Sequence, residues 1–213
     1  MSFRTKKNTI KNYIVDNIKK NKKEYISLCI VLLIGVVLGV LFINNIKEEE
    51  KSEVQNYINS FIETLKNNNE IDRIVLLKES AIKNVTIGIL LWFIGSTVIG
   101  IPILYAYVMY KGFCISYTIS SCIAVLGQGK GLIFAISSIL FQNIIIVPAI
   151  LIISVSGIKL YQSIVKDRRK ENIKIEIVKH TIISLVNILC LVIAAIIETY
   201  ISTSILTAII KYI

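Results

Sequence analysis

Three side chains could do chemistry within the long apolar runs of this chain. Glu198 is the one acidic residue between Thr181 and Ile210, and the amide pair Gln142 and Asn143 lies midway along Leu132 to Ile158. Hydrocarbon offers such groups no water, so each needs a protein partner or a ligand. The amides can bond across helices, cap backbone groups that Pro148 frees, or line a path for a substrate or ion. Glu198 fits an interface beside Tyr200; set deeper, it needs a proton or a basic partner, for which Lys130 is the candidate. Lys111, closing another apolar run, can snorkel to the interface.

Catalytic groups are scarce. His180 is the single histidine, so neither a Ser-His-Asp triad nor an H-E-x-x-H metal motif can lie within a bilayer. Gly127-Gln128-Gly129-Lys130-Gly131 lacks the frame of a phosphate-binding loop and reads as a turn. Cys29, Cys114, Cys122 and Cys190 each sit in an apolar stretch with no C-x-x-C pair, which suits small hydrophobes better than a disulfide framework or a zinc site. The sequence predicts no catalytic residue, no cofactor and no metal, and hence no enzyme.

What must hold these groups is a set of helices in lipid. Of 213 residues 54% are hydrophobic and 18% charged, against about 25% charged in an ordinary soluble domain. The net charge of +10 would suggest nucleic acid in a soluble protein, but here the basic residues cluster beside apolar runs. That predicts membrane lipid with anionic headgroups as the partner, and no nucleic acid. Self-association as a homo-oligomer stays open.

Hydropathy then divides the chain. Residues 1–25 form a basic N-terminus and 26–43 a first span, too long for a cleavable signal core and with no A-x-A site after it. Residues 44–84 are polar. A second span covers 85–110, about 39 Å of helix against a hydrocarbon core of about 30 Å, so it must tilt or kink, with Gly95, Gly100 and Pro102 at the bend. A short third span covers 113–126, a fourth 132–158 and a fifth 181–210, with a basic segment at 159–180. If 113–126 did not cross, that segment would face away from the basic N-terminus, against the positive-inside rule. With five crossings the inner side holds sixteen basic residues, Lys111 among them, and the outer side eight. The expected fold is an all-α, polytopic membrane helical bundle of about five transmembrane helices, with its N-terminus cytoplasmic and its C-terminus external. Gly35-x-x-x-Gly39 and Ser96-x-x-x-Gly100 offer close-packing faces, and Pro148 a kink.

The polar segment is patterned. Val54, Tyr57, Ile58, Phe61, Ile62 and Leu65 follow an i, i+3, i+4, i+7, i+8, i+11 spacing, one apolar stripe of an amphipathic helix. Asn67-Asn68-Asn69 breaks it, and Ile71, Ile74, Leu77 and Ala81 predict a second helix returning to the membrane. The pair makes an external helical hairpin. Its stripe either packs on the outer ends of the spans or docks a partner on the face of Tyr57, Phe61 and Leu65. The sequon Asn84-Val85-Thr86 lies at the membrane edge and reads as chance.

With these residues in place, the chain resembles the stage II sporulation protein M family of endospore-forming bacteria. The likeness rests on Trp92-Phe93-Ile94-Gly95 through Ile99-Gly100-Ile101-Pro102, Lys111-Gly112, Gln142-Asn143-Ile144-Ile145-Ile146-Val147-Pro148, and Glu198-Thr199-Tyr200. Phe141 departs from the proline expected there. The resemblance implies a noncatalytic anchor in the bacterial cell membrane, at the sporulation septum, working with stage II sporulation proteins P and D. Those wall hydrolases degrade peptidoglycan as the forespore is engulfed. A reading of another class, from the interrupted spans, is a transporter or permease component using Gln142, Asn143 and Glu198.

Overall fold

The computed structural model describes residues 19–67, 72–167 and 170–210. The basic residues Arg4 to Lys11, the breaker positions Asn68 and Asn69, Ile71, Arg168 and Arg169 lie outside the described residues. Within them the regular structure is helical: α1 (Lys22–Asn45), α2 (Glu48–Asn67), α3 (Arg73–Gly95), α4 (Gly100–Leu126), α5 (Gln128–Ala135), α6 (Phe141–Gln162), α7 (Lys170–Ile197) and α8 (Thr203–Ile210). A π turn at Ile136–Leu140 joins α5 to α6, a second at Ser163–Asp167 follows α6, and a third at Glu198–Ser202 joins α7 to α8.

Among the described residues four stretches are long and apolar enough to cross a membrane: Lys22–Asn45, Gly100–Leu126, Gln128–Val165 and Ile173–Ile210. Helix α3 carries Arg73, Lys78, Glu79 and Lys83 in its first half and misses that standard. It nevertheless lies antiparallel to α7, with Ser80 against Glu198, Asn84 donating to the Leu191 carbonyl at 3.2 Å, and Gly95 against His180. The bundle is therefore five helices deep around its core.

The span boundaries differ from the sequence reading at one place, with large consequences. Residues 85–110 are not one bent span: the chain reverses between α3 and α4. Ser96 and Thr97 turn their hydroxyls onto the carbonyls of Trp92 and Ile94, each at 2.8 Å, closing the orphan acceptors at the end of α3. A Cβ on Gly100 would collide with the Ile94 carbonyl, so only glycine lets the chain turn back this tightly. Pro102 then falls in the first turn of α4, where a missing N–H leaves no intrahelical bond unmade, and so it starts a helix rather than kinking one. Ser96-x-x-x-Gly100 belongs to this turn and is no packing face.

Residues 113–126 are in turn the second half of α4, continuous with 100–112, and not a short span of their own. Lys111 is thus no boundary residue. It lies eleven residues into α4, about 17 Å from its start. Nor is 159–180 a separate segment, since helix runs on through Gln162 and resumes at Lys170. The second arm of the external hairpin is the first turns of α3, capped by Asp72 Oδ1, which accepts from the amides of Ile74 at 2.9 Å and Val75 at 3.2 Å.

Helices α1 and α4 run parallel in close contact. Ser27 meets the Tyr105 hydroxyl at 2.7 Å, and further along Phe42 lies against Phe113 and Tyr117, with ring centroids 5.7 and 6.1 Å apart. Between these levels a Cβ on Gly35 would strike the Met109 carbonyl, and one on Gly39 the Ser116 hydroxyl. From α4, Gly112 and Ser116 complete this close approach, a Cβ on Gly112 meeting the Leu32 carbonyl. Pro148 lies within α6, exposed on its surface.

Among the described residues two apolar clusters fill the interior. The larger joins Leu28, Leu91, Leu104, Ile150, Ile153 and Leu191 with their neighbours; the smaller joins Ile58, Ile62, Cys122, Phe134, Leu206 and Ile210. The outward faces are apolar too, as Ile30, Leu33, Val37 and Leu41 on α1 show by their exposure. Cys29 shares that face, so of the four free cysteines only Cys122 is buried. Such a surface suits lipid, where an exposed leucine costs nothing. The second cluster lies at the end of the bundle away from Gly95 and His180, and α2 closes over it.

Candidate functional site

Between the two clusters each long rod carries polar groups. Gln142 and Asn143 come between Ala135 and Ile146, and Glu198, Thr199 and Ser202 between Ala194 and Leu206. The structure brings two of the predicted residues together. Gln142, with its amide nitrogen turned to the carboxylate, donates to Glu198 Oε2 at 2.6 Å and Oε1 at 3.1 Å. The opposite orientation would set oxygen against oxygen, so hydrogen bonding decides it. The Ser80 hydroxyl donates to Oε2 as well. Three helices thus converge on one carboxylate through donors alone, the arrangement a partly buried anion requires.

Glu198 is therefore an interhelical residue with twelve further residues of helix beyond it, and the hydrogen bonds reaching it come from Ser80 and Gln142 rather than from the expected Lys130. Lys111 contributes from α4, its ammonium within electrostatic reach of Glu198 and Lys83. Asn143, one residue from Gln142, takes no part. Its Nδ2 donates to the Ile139 carbonyl at 2.8 Å, inside the π turn, so it does not cap the backbone below Pro148. Its Oδ1 is buried without a hydrogen-bond partner among the described residues.

The first and third π turns border this site. Such turns interrupt the i−4 ladder and recur where side chains must be re-aimed. The Thr203 hydroxyl donates to the Glu198 carbonyl at 3.1 Å, five residues back, recovering an acceptor the third π turn releases. Beside the carboxylate a cavity of about 410 Å³ opens under α2. Phe61, Leu65, Leu76 and Leu206 give it apolar walls, and Asp72 and Glu198 make it acidic.

The amphipathic helix is divided in its use. Ile58 and Ile62 are buried on Phe134 and Leu206, with Val54 and Leu65 partly buried beside them. The stripe packs on the ends of the other helices. Tyr57 remains 75% exposed and Phe61 43%, the latter edge-on to Phe134 with centroids 6.4 Å apart.

His180 ties the opposite end together. It is 1% exposed; its Nε2 lies 3.1 Å from the Trp92 carbonyl and its Nδ1 3.1 Å from Ser156 Oγ. A carbonyl only accepts, so Nε2 carries the proton and Nδ1 of the neutral ring accepts from Ser156. Gly95 and Gly157 meet beneath the ring with no room for a Cβ between them.

Ser80, Asn84 and His180 had no role in the sequence reading. A signal for the first two exists: Ser80, Asn84, Gly88, Leu91 and Gly95 recur at helical spacing and are the buried face of α3. Small and polar residues on that period mark a buried face in lipid as well as leucines do in water. Among the described residues no group of His, Cys, Asp and Glu gathers as a metal site would.

Helices with apolar outer faces, joined through glycine contacts and a partly buried carboxylate, define a polytopic helical membrane protein. The family model described as Stage II sporulation protein M matches residues 28–203, and the chain belongs to that family. No curated protein and no solved structure matches it.

Proposed function

We propose that the protein is a noncatalytic scaffold that holds peptidoglycan-degrading enzymes at the sporulation septum during engulfment, with stage II sporulation proteins P and D as its partners. The observation that carries this is the end of the bundle capped by α2. Tyr57 and the rim of Phe61 stand outward there, above an apolar-walled acidic cavity. An exposed aromatic pair beside a recess is the kind of surface on which a partner helix finds both contact area and an anchor point. The positive-inside rule sets this end outside the cell, where the wall lies. With Lys111 removed from the tally, fifteen basic residues still fall at the opposite end or in the segments leading to it.

The test is copurification from sporulating cells. Tyr57→Glu, at normal membrane levels of the protein, should weaken recovery of the wall enzymes at least tenfold, and Phe61→Glu should do the same. Undiminished recovery with both variants would remove α2 as the dock. The contact between Gln142 and Glu198 beside two π turns favours a second reading, a small transporter or permease component. The readings separate on Glu198→Lys: a scaffold that still assembles keeps its partners, whereas a transporter loses its flux.

A further inference from the structure

We propose that the cleft between α1, α6 and α7 binds the phosphate of an anionic glycerophospholipid. It measures about 300 Å³ and lies at the end of the bundle opposite α2, so nothing in it depends on the docking surface above. Its charged lining is net cationic: Lys20, just ahead of α1, Lys159 on α6 and Lys179 on α7 come from three separate elements, against one carboxylate, Glu176 of α7. The nearby carboxylates already have partners, and one of the three lysines is taken up by the carboxylate inside the cleft. Glu176 is paired with Lys179 at 2.6 Å, and Glu24 accepts from Gln162 at 3.2 Å. Lys20 and Lys159 have no ion pair among the described residues.

The second property is the opposite wall. Ile152, Val155 and Ile183 line the same cleft, with Tyr25 at its side. Free phosphate needs the lysines and gains nothing from these three aliphatic residues. A lipid uses both, its phosphodiester between ammonium groups and its first methylenes along the isoleucines. The volume admits a headgroup but not a whole lipid, whose chains would continue down the apolar outer face. Anionic lipid also concentrates on the side that the positive-inside rule gives this end. Lysine suits the task as a mobile point charge on a long apolar stem, able to follow a headgroup at the interface.

The experiment is native mass spectrometry of the full chain in detergent, with phosphatidylglycerol or phosphatidylcholine added at equal concentration. The wild type should retain one phosphatidylglycerol at least tenfold better than phosphatidylcholine. Lys20→Gln with Lys159→Gln should abolish that preference by roughly tenfold or more, while Lys20→Arg with Lys159→Arg keeps it and Lys78→Gln at the other end leaves it unchanged. A helical circular dichroism spectrum equal to that of the wild type certifies the fold of each variant. Equal retention of phosphatidylglycerol by the glutamine variant overturns the proposal. So does displacement of the lipid by inorganic phosphate at equal concentration, which would make the cleft a site for the free ion.

Discussion

Ser80 and Glu198 stand 118 positions apart in the chain, yet the Ser80 hydroxyl donates to Oε2 of Glu198. The contact fixes the register of α3 against the rod formed by α7 and α8, and it does so at the level where Gln142 arrives from α6. One carboxylate thereby references three helices to each other. An apolar seam slides at little cost, whereas a charge that slides off its donors is left unsatisfied.

Removing donors around this charge should cost stability without changing the fold. Ser80→Ala and Gln142→Leu are each expected to destabilise the protein by about 1–3 kcal/mol, read as a lower midpoint of thermal unfolding in detergent. Because both donate to the same oxygen, the double variant should depart from additivity by roughly 0.5 kcal/mol or more. Strict additivity would mean that the two bonds are independent of each other.

The parallel pair α1 and α4 depends on the absence of side chains at Gly35 and Gly39. Gly39→Leu should force the helices apart and cost about 1–3 kcal/mol or more, while Leu33→Ala, at an outward-facing residue 61% exposed, should leave the unfolding midpoint nearly unchanged. A tolerant Gly39 would contradict the contact with Ser116.

The reversal between α3 and α4 makes a paired prediction. Pro102→Ala should change stability by no more than about 0.5 kcal/mol, as for a surface substitution, because the first turn of a helix has no bond for proline to break. Gly100→Val should prevent accumulation of folded protein in the membrane, measured by its yield after detergent extraction. Were 85–110 one kinked span, the proline would be the sensitive position instead.

Topology can be read in intact cells on a background with the four native cysteines replaced. Cysteine introduced at Ser52 or Lys130 should react with a membrane-impermeant reagent, and cysteine at Lys166 or Thr97 should react only after permeabilisation. Thr97 is the discriminating site, since it is exposed in the turn between α3 and α4. Labelling of Thr97 from outside would invert the bundle.

The family matched over residues 28–203 was legible as a resemblance carried by short motifs such as Glu198-Thr199-Tyr200, and the helical membrane class because hydropathy over a span is a sum of local terms. The stripe on α2 and the Gly35-x-x-x-Gly39 face were legible for the same reason: each is a periodicity along one helix. The turn at Ser96 to Ile99 was not. Its residues are as apolar as the helices around it, and a reversal there depends on which carbonyls Ser96 and Thr97 reach and on the bare Cα of Gly100.

The sequence by itself thus determined that this chain folds as helices in lipid, with basic residues gathered toward one end and an amphipathic helix at the other. Only the tertiary structure decided that α4 runs unbroken through Lys111, that Gln142 rather than Asn143 meets Glu198, and that Ser80 completes their contact. Hydropathy along one helix says which residues leave water. Which polar group satisfies which is a matter of distances between helices, set by rotations and glycine contacts that no single segment contains.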